Sequence, residues 1–271
     1  MIFSNDSRCL NHRFIDFLLK LPFCAVCVLL LSLSSCETKK SRAADESAQN
    51  NLELEDQENE VIENKNESDA ITLDLLKILN GDPYLWILVD KNHPIDDYVP
   101  SDLVVLKSVN YNTNNPGIQL RASAAASLEE MAVAAGKDGL KLAVSSAYRS
   151  RSYQANLYDR YVKTMGQEAT DRVSARPGYS QHQLGLIVDF YPVDNVFAKS
   201  AEGIWVKANA SKFGWSLSYP DGLESLTGYS WESWHYRYVG RELAEFINKY
   251  FDGIQQNALV FIHEWEQKRA F

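Results

Sequence analysis

Between Leu120 and Ala135 apolar residues recur with a helical period, at Leu120, Ala124, Leu128, Met131 and Ala135, and Gly136 and Gly139 end the run. The same spacing predicts a helix over Ser152–Met165, with Leu157, Tyr161 and Val162 on one side. It also predicts one over Ile71–Leu79, with Leu75, Leu76 and Leu79 together until Gly81-Asp82-Pro83 breaks it. Further helices are expected around Ile204–Phe213, over Arg241–Tyr250 and over Ile254–Glu266. Short apolar or alternating runs predict strands at Leu85–Val89, from Leu142, at Leu186–Phe190, at Trp215–Leu217 and at His235–Val239. The stretch between Met165 and Leu186 reads as a polar loop. There are no internal repeats, and helices cluster early and late with strands between. An α+β class fits this order better than a regular βαβ alternation.

The N-terminal part follows a different pattern. Arg8, Arg13 and Lys20 precede an uncharged apolar run, Leu21–Leu33. These 13 residues would rise about 20 Å as a helix, short of a hydrocarbon core of about 30 Å. The run therefore reads as a secretory signal, or as an uncleaved anchor if the helix extends back to Phe14. Leu33-Ser34-Ser35-Cys36 resembles the lipobox of bacterial lipoproteins, which implies a lipid on Cys36; otherwise Cys36 merely ends an apolar helix. Residues 37–70 lack aromatic residues and carry a net charge of −7. They bury too little apolar surface to offset their ordering entropy and read as a disordered acidic tether. Three segments result: a lipoprotein signal at 1–36, the tether at 37–70 and a folded domain at 71–271.

Composition narrows the chemistry. The 271 residues are 45% hydrophobic and 23% charged, which is globular, and the net charge of −9 argues against nucleic acid as a partner. All four cysteines, Cys9, Cys24, Cys27 and Cys36, precede the tether, so the folded domain has neither a disulfide nor a thiol nucleophile. Ser-x-x-Lys, Gly-x-Ser-x-Gly and His-Glu-x-x-His are all absent, which removes the usual signatures of penicillin-type serine peptidases, elbow serine hydrolases and zincins.

Among the histidines, His12 falls in the signal, His93 in a loop where a strap role is expected, and His263 in a terminal helix facing solvent. His182 and His235 remain. A turn at Gly185 could fold His182 back towards Asp189, an acid that ends an apolar strand and is costly to bury without a partner or a metal. His235 would begin a strand, with Glu232 in the turn just before it. Two histidines and one carboxylate form a three-ligand set with an open fourth position, and Glu232 beside it would serve as general base. The alternative is a set of paired polar groups under an aromatic cluster.

Ser146-Ala147-Tyr148-Arg149-Ser150, Ser174 to Gly185 (SARPGYSQHQLG), Asp189, and Glu232 to Gly240 (ESWHYRYVG) together resemble the VanY-type zinc D-Ala-D-Ala carboxypeptidases, a family that includes LD-carboxypeptidases of peptidoglycan. Leu88 to Pro94, Tyr98 to Leu103 and Tyr219-Pro220-Asp221-Gly222 agree, so the likeness spans roughly 85–250. It implies one α+β domain with a small, largely antiparallel sheet packed by helices. It also implies Zn²⁺ on His182, Asp189 and His235, Glu232 activating the water, and Arg149 facing the reacting group or the terminal carboxylate. Gln154, Ser180 and Tyr219 fall where the family lines its substrate pocket. Gln181 replaces a common acid, Leu184 a frequent threonine and Ser233 a common proline; no ligand is lost.

The implied reaction is hydrolysis of the C-terminal D-alanine bond of peptidoglycan stem peptides, DD or LD, without an acyl-enzyme. The implied place is the cell envelope, lipid-anchored to a membrane on its extracytoplasmic side. Two alternatives stand beside it: a non-catalytic peptidoglycan-binding lipoprotein, and a dipeptidase or endopeptidase of the same fold.

Overall fold

The computed structural model describes residues 65 and 68–269; Cys36, the apolar run and most of the expected tether lie outside the described residues. The chain divides into two units, Met1–Leu73 and Asp74–Phe271. Within the first, residues 68–73 are helical. The second begins with helical residues 74–78 (α1), where Leu75 and Ile78 are buried and Leu76 is exposed. No described helix is long and apolar enough to cross a membrane.

The second unit is α+β. Strands β1 (Leu103–Val105) and β3 (Gln119–Arg121) form a small antiparallel pair. A five-stranded sheet has the order β2-β4-β5-β7-β6, from Asn112–Thr113 (β2), Ala143–Ser146 (β4), Ile187–Phe190 (β5), Trp215–Leu217 (β6) and His235–Tyr238 (β7). Only β2 and β4 run parallel; the other neighbours are antiparallel. Helix α2 (Ala122–Lys137) supplies Ala124, Leu128, Met131, Ala132 and Ala135 to the main core. Helices α3 (Arg151–Met165), α4 (Gln167–Val173), α5 (Ala201–Asn209), α6 (Glu224–Thr227), α7 (Arg241–Tyr250) and α8 (Gln255–Arg269) complete the unit.

Strand alternation gives the main sheet two different faces. Val144, Val188, Phe190 and Tyr236 join the α2 residues in the core, each fully buried Val or Phe being worth roughly 1.5–3 kcal/mol. The opposite face carries Ser146, Asp189, His235 and Arg237. In the ladder Asp189 lies directly opposite His235, and Val188 opposite Tyr236. On the other side a register shift between Val144 and Ser146 brings Ser146 opposite Asp189. The extra residue in β4 thus turns Ser146 to the polar face while Val144 stays in the core.

Several expectations change in the structure. Leu85–Val89 is not a strand: Pro83–Leu85 is a short 3₁₀ helix and the residues after it are irregular. Their carbonyls are taken by side chains instead. Arg237 Nη2 donates to the carbonyls of Tyr84 (3.1 Å), Leu85 (3.2 Å) and Ile87 (2.9 Å), and Gln181 Nε2 reaches that of Val89. The expected polar loop contains α4, and β1, β2, β3 and α6 lacked a periodic signal because each is two to four residues long. In α3 the buried residues are Gln154 and Tyr158, while Leu157 and Tyr161 line a cavity rather than the core. His263 is half-buried, its ring edge-on to His93 at 4.9 Å.

Arg237 is 0% exposed, and its Nε and Nη1 find no partner. Burial draws its pKa down to about 10, with Tyr219 opposing the shift. Arg237→Met would leave three part-buried carbonyls without this partner, a cost offset in part by removing a buried charge. The expected result is a loss of about 3 kcal/mol of stability, read from the midpoint of urea unfolding.

Candidate metal centre and active site

Three loops and two strands deliver the polar face of the sheet to one cavity of about 320 Å³. His182 comes from a 3₁₀ turn, Gln181–Leu184, which ends at Gly185 in the left-handed conformation (φ 69°). A side chain at Gly185 would also press within about 3.1 Å of Arg121, Leu103 and Pro100, so glycine is required there both by conformation and by space. The turn reverses the chain into β5 and places His182 beside Asp189, the outcome expected from the sequence. His235 begins β7, and Glu232 precedes it in the turn, with the His235 amide donating to the Glu232 carbonyl.

His182, Asp189 and His235 are all buried, and one ligand atom from each lies within 4.8 Å of the others. His182 Nε2 is 3.3 Å from Asp189 Oδ2, and His235 Nδ1 is 3.2 Å from Asp189 Oδ1 and 3.3 Å from Glu232 Oε2. The far nitrogens are engaged: His182 Nδ1 donates to the Ala147 carbonyl at 2.6 Å, and His235 Nε2 faces Gln181 Oε1 at 3.4 Å. Such contacts fix the tautomer and aim the other nitrogen at a metal. Ser218 Oγ donates to the same Gln181 oxygen at 2.8 Å, and Gln255 Nε2 holds the Ser216 carbonyl.

The electrostatics are those of a cation site. Burial, then the Arg149 charge, lowers the His182 pKa to about 4, so this imidazole is neutral. With Nδ1 committed as donor, its Nε2 lone pair faces a carboxylate oxygen, an arrangement that a cation between them resolves. Asp189 Oδ1 is buried and has no hydrogen-bond partner. Burial raises the Asp189 pKa, but His182, His235 and Arg149 outweigh it and hold the carboxyl well below the ordinary value. Burial likewise opposes, but does not overcome, the contacts with Asp189 and Glu232 that lift His235 to about 8. Two imidazoles, one carboxylate and an orphaned oxygen fit Zn²⁺, whose catalytic sites take three such ligands and leave one position open.

The remaining expected residues line the same cavity. Arg149 Nη2 donates to Asp189 Oδ2 at 2.6 Å, its Nε to Ser146 Oγ at 3.0 Å and its Nη1 to Gln154 Oε1 at 3.4 Å. Gln154 in turn donates to Ser174 Oγ and the Ala175 carbonyl. Tyr219 lies between His235 and Tyr229, tilted to both rings with centroids 4.8 Å away, and burial pushes its phenol well above the ordinary value. Ser180 and Glu232 complete the wall, together with an apolar side of Leu157, Tyr161, Met165 and Val173. Sequence reasoning missed Ser218, Gln255 and Tyr229, which carry no motif of their own. His93 is a strap, as expected: its Nδ1 meets Asp90 Oδ1 at 2.7 Å.

A family model for VanY, D-alanyl-D-alanine carboxypeptidase, matches residues 117–241. YodJ of Bacillus subtilis (strain 168) is 34% identical over 188 residues, 66% of this chain and 69% of that protein. The structure of the LdcB LD-carboxypeptidase, solved for peptidoglycan recognition, is similar with a TM-score of 0.58 and 33% identity, over 67% of this chain and 86% of that one. A mutant of the vancomycin-resistance D,D-pentapeptidase VanY in complex with Zn(II) is similar with a TM-score of 0.52 and 28% identity, over 65% of this chain and 99% of that one. By sequence, fold and a His-Asp-His group that could hold a metal, this chain belongs to the VanY D-alanyl-D-alanine carboxypeptidase family, whose cofactor is zinc.

Proposed function

We propose that the chain is a zinc carboxypeptidase that removes the C-terminal D-alanine of peptidoglycan stem peptides, with Glu232 as general base and acid. The observation that carries this reading is the Glu232 carboxylate, 3.3 Å from His235 Nδ1 and facing the same cavity as His182 and Asp189. A module that only bound peptide would have no use for a second acid beside a neutralised three-residue ligand set.

His182, Asp189 and His235 hold the zinc in this reading. Bound there, zinc supplies Lewis acidity that polarises a carbonyl and lowers the pKa of a water to about 7. Glu232 accepts the proton of the attacking water and returns it to the departing amine of D-alanine. Arg149 offers a guanidinium to the developing oxyanion or to the terminal carboxylate. Its tie to Ser146 and Gln154 holds it in place before substrate arrives. Tyr219 stays protonated and offers a neutral donor, while Gln154 and Ser180 present polar groups along the wall. D-Alanine as leaving group is common to DD and LD cleavage. The proposal extends to the N-terminus: a lipid on Cys36 and the 37–70 tether would hold the domain outside the cytoplasm, where stem peptides are found.

Mass spectrometry of muropeptides incubated with the zinc-loaded chain is expected to show loss of one alanine. Loss from pentapeptide alone defines a DD enzyme, and loss from tetrapeptide an LD enzyme. Glu232→Ala is expected to lower kcat by about 10³-fold with zinc content preserved. A labelled penicillin should leave the protein unmodified and a chelator should silence it; covalent labelling would overturn the mechanism.

Zinc at about 100 times its Kd should raise folding stability by about 2.7 kcal/mol. Asp189→Asn should remove that shift in a thermal melt, since a neutral amide cannot replace the buried carboxylate as ligand.

A further inference from the structure

Beside the active-site cavity lies a second one, of about 300 Å³, lined by Lys91, Asp171, Ser174, Arg176, Tyr179 and Tyr229. It shares Ser174 and Tyr229 with the first cavity but touches none of His182, Asp189, His235 or Glu232. We propose that it is a subsite for a free carboxylate on the acyl part of the peptide substrate, with Lys91 as its main counter-charge. This rests on the peptidase reading above and deepens it.

The cavity carries a charge that the protein does not neutralise. Its one carboxylate, Asp171, is occupied: Arg176 Nη2 and Nε donate to its two oxygens at 2.8 and 3.1 Å, and Tyr158 donates its hydroxyl at 2.7 Å. The nearby Glu224 carboxylate is gripped at both oxygens by Arg172, at 2.6 and 2.8 Å. Lys91 has no carboxylate within ion-pair distance among the described residues. Its ammonium donates to the Asp171 carbonyl and lies 4.5 Å from the centre of the Tyr229 ring. Two cations against one acid leave the cavity positive, in a chain whose net charge is −9.

Lys91 is also held in position. Asp90 Oδ1 accepts from the amides of Asn92 (2.8 Å) and His93 (3.1 Å) and from His93 Nδ1, while its Oδ2 accepts from Gln256 Nε2 at 2.8 Å. This closes the 90–93 turn from which Lys91 projects. The lysine stem then crosses Gly228, where a Cβ would stand 2.8 Å from Lys91 Cε and 2.9 Å from its Cδ. Any larger residue at Gly228 would move the stem, and φ there is +76°. A surface lysine free to sample solvent needs neither the clamped turn nor the glycine beneath it.

Distance identifies which carboxylate fits. From Lys91 the path to the metal ligands runs over Tyr229 and Tyr219 to His235, in ring steps of 4.5 to 4.8 Å. The carboxylate of the leaving residue lies within one residue of the scissile bond, and an extended chain advances only about 3.5 Å per residue. A carboxylate reaching Lys91 therefore belongs to a residue further along the peptide, on the acyl side. Tyr229 and Ser174 form the lip over which that part of the peptide would pass.

The test uses two synthetic peptides ending in D-alanine, identical except that the acyl-side carboxylate is free in one and amidated in the other. With the zinc-loaded full chain, kcat/KM is expected to be about tenfold higher for the free acid, the difference lying in KM, and the preference should shrink as salt rises. Lys91→Met should bring that ratio close to one, whereas Lys91→Arg should retain it. Gly228→Ala, which displaces the lysine without removing its charge, should also reduce it. Equal kcat/KM for the two peptides with wild type, or an equal loss for both in Lys91→Met, would overturn the subsite. Cleavage of neither peptide would overturn the peptidase reading. The two dissociation constants measured by calorimetry would then still decide the subsite: tighter binding of the free acid supports it and equal binding overturns it.

Discussion

A carboxylate with 1% exposure at the end of a central strand is the constraint around which the rest of this site is arranged. Left alone, Asp189 would take a proton or unfold the strand, because an isolated charge is poorly tolerated in a protein interior. Three groups converge on it, Arg149 at 2.6 Å, His235 at 3.2 Å and His182 at 3.3 Å, and the charges of Arg149 and His235 keep it ionised. Each arrives by a different local device. The ladder puts His235 opposite Asp189, the left-handed Gly185 folds His182 back, and the irregularity in β4 brings Ser146 round to steady Arg149. The three contacts still leave Oδ1 without a hydrogen bond. A divalent cation held there would complete what the protein groups begin.

The same sheet face holds a second buried charge with a different purpose. Arg237, two residues beyond His235, gathers three main-chain carbonyls from the segment after Pro83. That segment leads through Val89 into the turn at Asp90, so Arg237 anchors one end of the strap and Asp90 the other. Structural and chemical roles are therefore separated along a single strand: Tyr236 packs the core, His235 faces the cavity, and Arg237 fixes the loop. Because both charges depend on the β5–β7 register, a slip of one residue would exchange core and site faces together.

Most long elements, and the three residues that the structure brings together as a candidate metal site, were legible in the sequence, for physical reasons that also explain the failures. Helix α2 shows a clean period because one side of it meets the core, while β5 and β7 show as short apolar or alternating runs because they are buried on both faces. An acid at the end of an apolar run marked Asp189. Leu85–Val89 misled because its apolar side chains are buried or half-buried, as a strand's would be, while its carbonyls are served by Arg237 and Gln181 from distant parts of the chain. No local pattern encodes such a partner. In α3 the hydrophobic stripe was real but faced a cavity, and the buried side holds Gln154 and Tyr158, which need polar partners brought by α4 and the loop after it. Ser218 and Gln255 were invisible for the same reason: they act through each other, Gln181 and the Ser216 carbonyl.

The departures from the family pattern fall where the structure can absorb them. Gln181 keeps an acceptor towards His235 although it lacks the charge of an acid, so the imidazole is oriented without a further buried anion. Leu184 is fully buried in the main core, where a threonine hydroxyl would need a partner. Ser233 takes its place in the turn through its amide, which donates to Asn195 Oδ1 at 3.1 Å, a bond that proline could not make. All three lie within two residues of His182 or His235 in sequence, yet none belongs to the His182, Asp189 and His235 group. His182, Asp189 and His235 are fixed by strand register and buried hydrogen bonds, whereas the turns around Lys91, Ser174 and Gly228 sit outside that framework. If Lys91 acts as proposed, substrate preference can change through these turns while the arrangement around Asp189 stays as it is.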